Sequence, residues 1–268
     1  MSKKTVSGTK EWSATSENVI RGCSNGCLYC YGCAYAFRFN LKERGTWTQE
    51  EVNEKAQVKG FGKRKGTIMF PTMHDLTPEN MNVTVPFLKR ILKAGNDVLV
   101  VSKPHPEVIQ KICDECEEYK DQILFRFTIG SMDSRILSFW EPGAPLFPLR
   151  FNALCLAFGR GFKTSVSMEP LLETVEDNVV ELVENLQMFV IDAIWIGKMN
   201  RLEERLKRNG HWDDWRVQAK ATALVASQED GRIRSLYERL KDNPKVKWKE
   251  SIKKVIGIEV PTEAGLDI

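Results

Sequence analysis

Five short apolar runs, each closing on polar residues and each preceded by a stretch of helical length, constrain the fold of this chain more than any other feature. They are GTIMFP (66–71), DVLVVSK (97–103), ILFRFTIG (123–130), KTSVSME (163–169) and DAIWIGK (192–198). NVIRG (18–22) is a sixth strand candidate near the start. The segments between them repeat apolar residues at helical spacing: Phe87, Leu88, Ile91, Leu92, then Val108, Ile109, Ile112, Cys113. Leu149, Phe151, Leu154, Leu156, Phe158 and Val179, Val180, Leu182, Val183, Leu186 continue the pattern. Apolar residues three and four apart predict helices with one buried face. Strands that alternate with such helices predict βα units on a parallel sheet, so the expected fold class is α/β.

Period-two alternation sorts the strand side chains. Phe125, Phe127 and Ile129 share one face and Arg126 and Thr128 the other, while Val166 and Met168 oppose Ser165, Ser167 and Glu169. An apolar face toward helices and a polar face toward an interior suits a ligand-filled barrel. In α/β barrels the active site lies where strands end. The strand ends here carry Thr72, His74 and Asp75; Ser102 and Lys103; Thr128 and Ser131; Ser167 and Glu169; Lys198 and Asn200.

The second informative stretch is NVIRGCSNGCLYCYGCAYA (18–36). Cys23, Cys27 and Cys30 fall at C-x3-C-x2-C. Three thiolates at that spacing can hold three irons of a [4Fe–4S] cluster, whereas an electron-transfer cluster takes four cysteines. An iron without a protein ligand keeps a position open for chemistry. Gly22 and Gly26 let the backbone bend closely around such a cluster. Cys33 leaves a rival open, a non-catalytic metal-binding module with four thiolates. Seven cysteines, unevenly clustered, do not make a disulfide framework. No apolar run is long enough for a bilayer, and MSKKTVSGTKEW lacks a signal-peptide core, so a cytoplasmic location and no membrane partner are expected. A formal charge of +3 is too small to imply nucleic acid. The basic loop KAQVKGFGKRKG (55–66) reads as a solvated surface with some capacity for phosphate.

The cysteine motif, with Tyr29 before its last cysteine, resembles the signature of the radical S-adenosylmethionine (SAM) superfamily. The resemblance implies a [4Fe–4S] cluster on Cys23, Cys27 and Cys30, SAM chelated to the open iron, and Tyr29 near the adenine. It also implies a one-electron reductant of flavodoxin or ferredoxin type and cleavage of SAM to a 5′-deoxyadenosyl radical. The fold it implies is a partial (β/α)6 TIM-like barrel over residues 1–200, with a C-terminal helical extension over 201–268 packed on it. SAM's carboxylate then calls for a cation, for which Lys103 and Arg150 are the candidates, with Arg126 behind them. Thr128, Ser131, Ser167 and Glu169 are the candidates for the ribose.

FRFTIGSMDSRILSFWEPGAPLFPLR followed by SVSMEP narrows the resemblance to the spore photoproduct lyase-like branch, over roughly residues 15 to 200. In that branch a T-I-G strand leads to W-E-P-x-A-P, then an arginine-starting helix and a strand ending in E-P. The lyase returns a hydrogen atom from a cysteine, which the end of the second strand (FPTMHD) lacks. Cys33 and Tyr31 are the catalytic candidates for that step. A nucleic-acid substrate stays open, beside a peptide or small metabolite.

Local chemistry adds further expectations. YAFRFNLKERG predicts a helix ended by Gly45, and TWTQEEVNEKAQ a short helix capped by Thr48 with Glu51 three residues on. Cys113 and Cys116 sit on the apolar face of a helix and read as packing. Beyond Arg201, helices bury Trp212, Trp215, Leu224 and Leu236, with HWDDW as a lid or plug. KVKWKESIKKVIGIEV then adds a last strand or a covering segment.

Overall fold

The computed structural model describes residues 5–43 and 45–266, and its main feature is one parallel sheet of seven strands. In sheet order, which is also chain order, these are β1 (Thr15–Ser16), β2 (Ile68–Phe70), β3 (Val98–Ser102), β4 (Ile123–Thr128), β5 (Lys163–Met168), β6 (Ile194–Ile196) and β7 (Val246–Trp248). The principal helices are α1 (Tyr31–Arg38), α2 (Met81–Lys93), α3 (Pro106–Glu115), α4 (Ser134–Trp140), α5 (Phe147–Gly159) and α6 (Glu176–Leu186). Three more, α7 (Leu202–Asn209), α8 (Trp215–Ala226) and α9 (Asp230–Leu240), precede β7, and α10 (Glu250–Ile256) follows it. Among the described residues no helix is long and apolar enough to cross a membrane.

The alternation read from the sequence sets the two faces. Phe125, Phe127, Val166 and Met168 are buried with Leu88, Ile109, Ile112, Leu154 and Leu182 from the helices. Each such side chain contributes about 1.5–3 kcal/mol by leaving water. The opposite face pairs Val101 with Arg126, Arg126 with Ser165, and Thr128 with Ser167 across neighbouring strands. Arg126 is not a ligand-binding cation. Its guanidinium lies 4.6 Å from the Trp12 ring and 5.3 Å from Trp195, and donates to Ser165 Oγ and Asp192 Oδ2, each at 3.0 Å. Burial pulls its pKa down to about 10 against the opposing field of Asp192.

The sheet does not close. β1 and β7 are its two edges, and the segment 8–13 fills the gap between them. Lys249 Nζ donates to Gly8 O at 3.0 Å and pairs with Glu11 at 2.9 Å, while Glu11 Oε2 accepts from Glu250 N at 2.8 Å.

Several local expectations are corrected. The first sheet strand is Thr15–Ser16, whereas Ile20–Arg21 pairs antiparallel with Glu51–Val52 in a separate ribbon. Between them Asn18 Oδ1 accepts from Thr72 N and Met73 N, both at 2.8 Å, and its amide donates to Thr72 Oγ1. Those bonds turn the chain out of the sheet, while Val19 and Ile20 stay buried and keep the apolar signature. The expected helix at 46–57 is instead a turn through residues 47–49 and a two-residue strand, Glu51–Val52, with only Glu54–Gln57 helical. Tertiary bonds override the capping pattern there, since Glu50 accepts from Ser24 N and Asn80 Nδ2, each at 2.9 Å. The first helix ends at Arg38, well before Gly45. KVKWKES supplies a seventh parallel strand, and Trp215 is 74 % exposed rather than buried.

Candidate active site

A cavity of about 690 Å³ opens at the carboxyl ends of the strands, within the 300–1,000 Å³ usual for small-ligand sites. Cys23, Cys27 and Cys30 line it from the loop before α1, and Asp75, Lys103, Thr128, Ser167 and Glu169 from the strand ends.

The cysteine loop is held by backbone. Cys23 N donates to Trp47 O at 2.9 Å. Gly22, at φ +90, would place a Cβ 2.6 Å from both Trp47 O and Gln49 O, so no side chain fits. Cys30 caps α1, its Sγ accepting from Cys33 N at 3.3 Å. Cys33 itself packs with Cys23, Ala36 and Trp47 and does not line the cavity. Its place in that cluster, away from the lining, sets it apart from the three cysteines that line the cavity. Tyr31 does line the cavity, its hydroxyl donating to Thr72 O. Burial pushes all four thiols up, Cys33 to about 12, so metal binding at the loop releases protons. Among the described residues no three His, Cys, Asp or Glu side chains stand close enough to share one metal ion.

Asp75 is the polar hub beside the loop. Its Oδ1 accepts from Lys103 N at 2.7 Å and Ser102 Oγ at 2.9 Å. Its Oδ2 accepts from Asn25 Nδ2 at 2.8 Å, pairs with Lys103 Nζ at 3.4 Å, and stands 3.9 Å from Cys23 Sγ. Burial opposes charge on both partners, yet Lys103 and the donated hydrogen bonds hold Asp75 below its ordinary value. Asp75, with Cys27 and Tyr29, holds Lys103 well above its own. A carboxyl depressed in the folded state stabilises above its unfolded pKa of about 3.9 and loses that contribution as pH falls through the folded value. Asp75→Asn should therefore destabilise the metal-free chain most near neutral pH. The gap in urea midpoint between it and the native chain should shrink below about pH 4; a gap independent of pH would refute the assignment.

Arg150 and Ser131 do not reach the cavity. Arg150 is fully buried, its Nε donating to Pro145 O at 2.6 Å and its Nη1 to Thr128 O at 3.1 Å, with Nη2 on Glu141. Glu141 also accepts the hydroxyl of Tyr29, so the WEPGAP segment clamps the cysteine loop from below. The sequence offered a cation at the start of a helix; packing turns it into a strut. Ser131 Oγ donates to Glu173 Oε1 at 2.5 Å under the surface. Thr128, Ser167 and Glu169 do meet the cavity, with Ser167 Oγ buried and without a protein partner. Glu169 pairs with Lys249 at 3.3 Å. His74 lies at the cavity wall, but its Nε2 faces Ile20 N at 3.4 Å and its Nδ1 faces Asp75 O at 3.0 Å. Burial lowers its pKa, so it serves as a neutral strut.

Two site residues were invisible in the sequence because both sit on α7, whose LEERLKRN reads as a solvated charged helix. Asn209 Nδ2 donates to Leu28 O at 2.8 Å and Cys30 O at 3.0 Å. Arg205, one turn earlier, lines the cavity.

Spore photoproduct lyase complexed with dinucleoside spore photoproduct superposes with a TM-score of 0.56 at 14 % identity, covering 92 % of this chain and 79 % of the lyase. This chain has the fold of spore photoproduct lyase. A lyase variant with bound AdoMet and dinucleoside spore photoproduct gives 0.51 at 15 % identity, covering 92 % of this chain and 79 % of the variant. Streptococcus suis SuiB bound to its precursor peptide SuiA gives 0.57 at 11 % identity, covering 94 % of this chain and 54 % of SuiB. By sequence, the uncharacterized protein ORF301 of the Acidianus two-tailed virus is 25 % identical over 206 residues, 70 % of this chain and 67 % of the viral protein. No protein-family model matches the chain.

Proposed function

We propose that this protein is a radical SAM enzyme that abstracts a hydrogen atom from its substrate. The observation that carries the reading is that three thiols of the C-x3-C-x2-C loop open into one ligand-sized cavity while the fourth, Cys33, is turned away. A [4Fe–4S] cluster takes one thiolate per iron, so Cys23, Cys27 and Cys30 fit a cluster with one iron left for SAM. When bound, the cluster and SAM supply one-electron cleavage of the sulfonium to a 5′-deoxyadenosyl radical. The chain's own work is to bind, orient and exclude water. Asp75 fixes the Lys103 ammonium at the cavity wall, where it meets SAM's carboxylate. Ser167 Oγ, buried without a partner, awaits a ligand hydroxyl; Thr128 and Glu169 stand beside it as further ribose partners. Tyr29, tied to Glu141, and Tyr31 both line the cavity; Tyr29 would stand beside the adenine and Tyr31 would relay a hydrogen atom. Beyond residue 200, Arg205 on α7 adds a wall to the site.

Nucleic acid is the first substrate class, supported by the likeness to a lyase complexed with a dinucleoside photoproduct. A peptide is the second, supported by the likeness to SuiB bound to its precursor peptide. Anaerobic reconstitution with iron and sulfide, then dithionite and SAM, should release 5′-deoxyadenosine. Deuterium carried into it from a candidate substrate would locate the attack. A fully loaded protein that releases none would overturn the reading.

The metal itself gives a second test. Cys33→Ala should keep full iron loading and Cys30→Ala should lose it. Equal loss in both variants would establish the four-thiolate module instead.

A further inference from the structure

Arg205 is a cavity-lining cation for which neither the cluster nor SAM, as placed above, has a use. It reaches the cavity from α7, which packs along α1 and is pinned to the cysteine loop by the two hydrogen bonds of Asn209, one helical turn on. Its position relative to Cys30 is therefore set by structure rather than by a free side chain.

The remaining basic residues of this helix and its N-cap are already paired. Arg201 meets Glu204 at 2.5 Å, Lys207 meets Glu203 at 2.5 Å, and Arg208 meets Glu204 at 2.9 Å. Arg205 pairs with no carboxylate among the described residues. Burial pulls its pKa below the ordinary range, with Glu169, Cys30 and Tyr31 opposing that pull. Glu169, the carboxylate among them, is itself held by Lys249 at 3.3 Å. Lys103 is paired with Asp75 at 3.4 Å and, in the reading above, takes SAM's carboxylate. Arg205 is half-buried at the cavity wall, and an anion that accepts two parallel N–H bonds suits its planar fork. Asn200 lines the same cavity from the loop after β6 and adds an amide donor, while Lys198 beside it pairs with Asp230 at 3.4 Å.

We propose that Arg205 is the specificity residue for an anionic group of the substrate, a phosphate or a carboxylate, gripped by its guanidinium fork inside the cavity. The proposal rests on this cavity being the substrate site, as argued above. SAM brings one carboxylate, which falls to Lys103 in that reading, so the anion at Arg205 belongs to the other reactant.

Phenyl phosphate and benzoate, titrated separately by calorimetry, test this. The full chain is used both loaded anaerobically with cluster and SAM and in its metal-free form. At least one probe should bind saturably, and which one binds tells phosphate from carboxylate. Arg205→Met should weaken that binding roughly 10- to 100-fold, the value of a charge-assisted hydrogen bond. Arg205→Lys should restore only part of it, since an ammonium lacks the fork. The proposal falls if neither probe binds, or if Arg205→Met binds the probe as tightly as the native chain. It also falls if SAM affinity drops as steeply as probe affinity, which would make Arg205 a SAM ligand. Should Arg205→Met fail to fold, unchanged affinity in Arg205→Lys overturns the bidentate grip by itself. Absence of SAM cleavage would sink the radical reading while leaving the metal-free titration readable.

Discussion

Arg150→Met should lower the stability of the metal-free chain by about 3–5 kcal/mol, the usual cost of stranding one partner of a buried ion pair. Arg150 and Glu141 are both fully buried, and Arg150 spends its donors on Pro145 O, Thr128 O and Glu141. Removing the guanidinium strands a carboxylate in the interior and leaves two buried carbonyls without a donor. Glu141→Gln combined with Arg150→Met should recover part of the loss, because the stranded charge is then gone. Urea unfolding of the two variants and the native chain measures both. A ligand-binding Arg150 would behave in the opposite way: stability would hold and SAM affinity alone would fall. That outcome would return Arg150 to the cavity wall and undo the strut.

The contrast between Arg150 and Arg205 shows what the sequence could disclose. β4 and β5 were legible because their faces differ residue by residue: Phe125 and Phe127 against Arg126 and Thr128, Val166 and Met168 against Ser165 and Ser167. The cysteine loop was legible because metal ligation demands fixed spacing. β1 was not, since two residues carry no period, and the apolar Val19 and Ile20 just downstream offered a better-looking strand. The capping pattern at Thr48 failed because Glu50 and Trp47 are claimed by residues distant in sequence, and local propensity yields to such bonds. For arginines the sequence gives only a charge, and the partner decides the role. Arg150 found Glu141 nine residues before it and became a strut, Arg126 found two indoles, and Arg205 alone of the three meets the cavity.

Gly143→Ala should strip iron from the reconstituted protein and destabilise the chain by about 1–3 kcal/mol, the range for overpacking a close contact. A Cβ at Gly143 would stand 2.5 Å from Ser24 O and 3.0 Å from Asn25 Cα, inside the cysteine loop. Both atoms are backbone, so no side-chain rotation relieves the clash. The two segments are also tied there, Gly143 N donating to Asn25 O at 2.9 Å and Leu28 N to Trp140 O at 2.9 Å. The loop must therefore shift as a body, and Cys23 and Cys27 shift with it. Gly159→Ala is the matched control, because its Cβ would meet nothing within 4 Å, and a helix-end alanine there should be neutral or slightly stabilising. Iron stoichiometry after anaerobic loading and the urea midpoint of the metal-free chain give two independent readings. If Gly143→Ala loads iron and unfolds like the control, the WEPGAP segment does not set the thiols. The cavity's three-thiol geometry would then need another source, with the ribbon contacts at Trp47 and Gln49 next to be tested through Gly22→Ala.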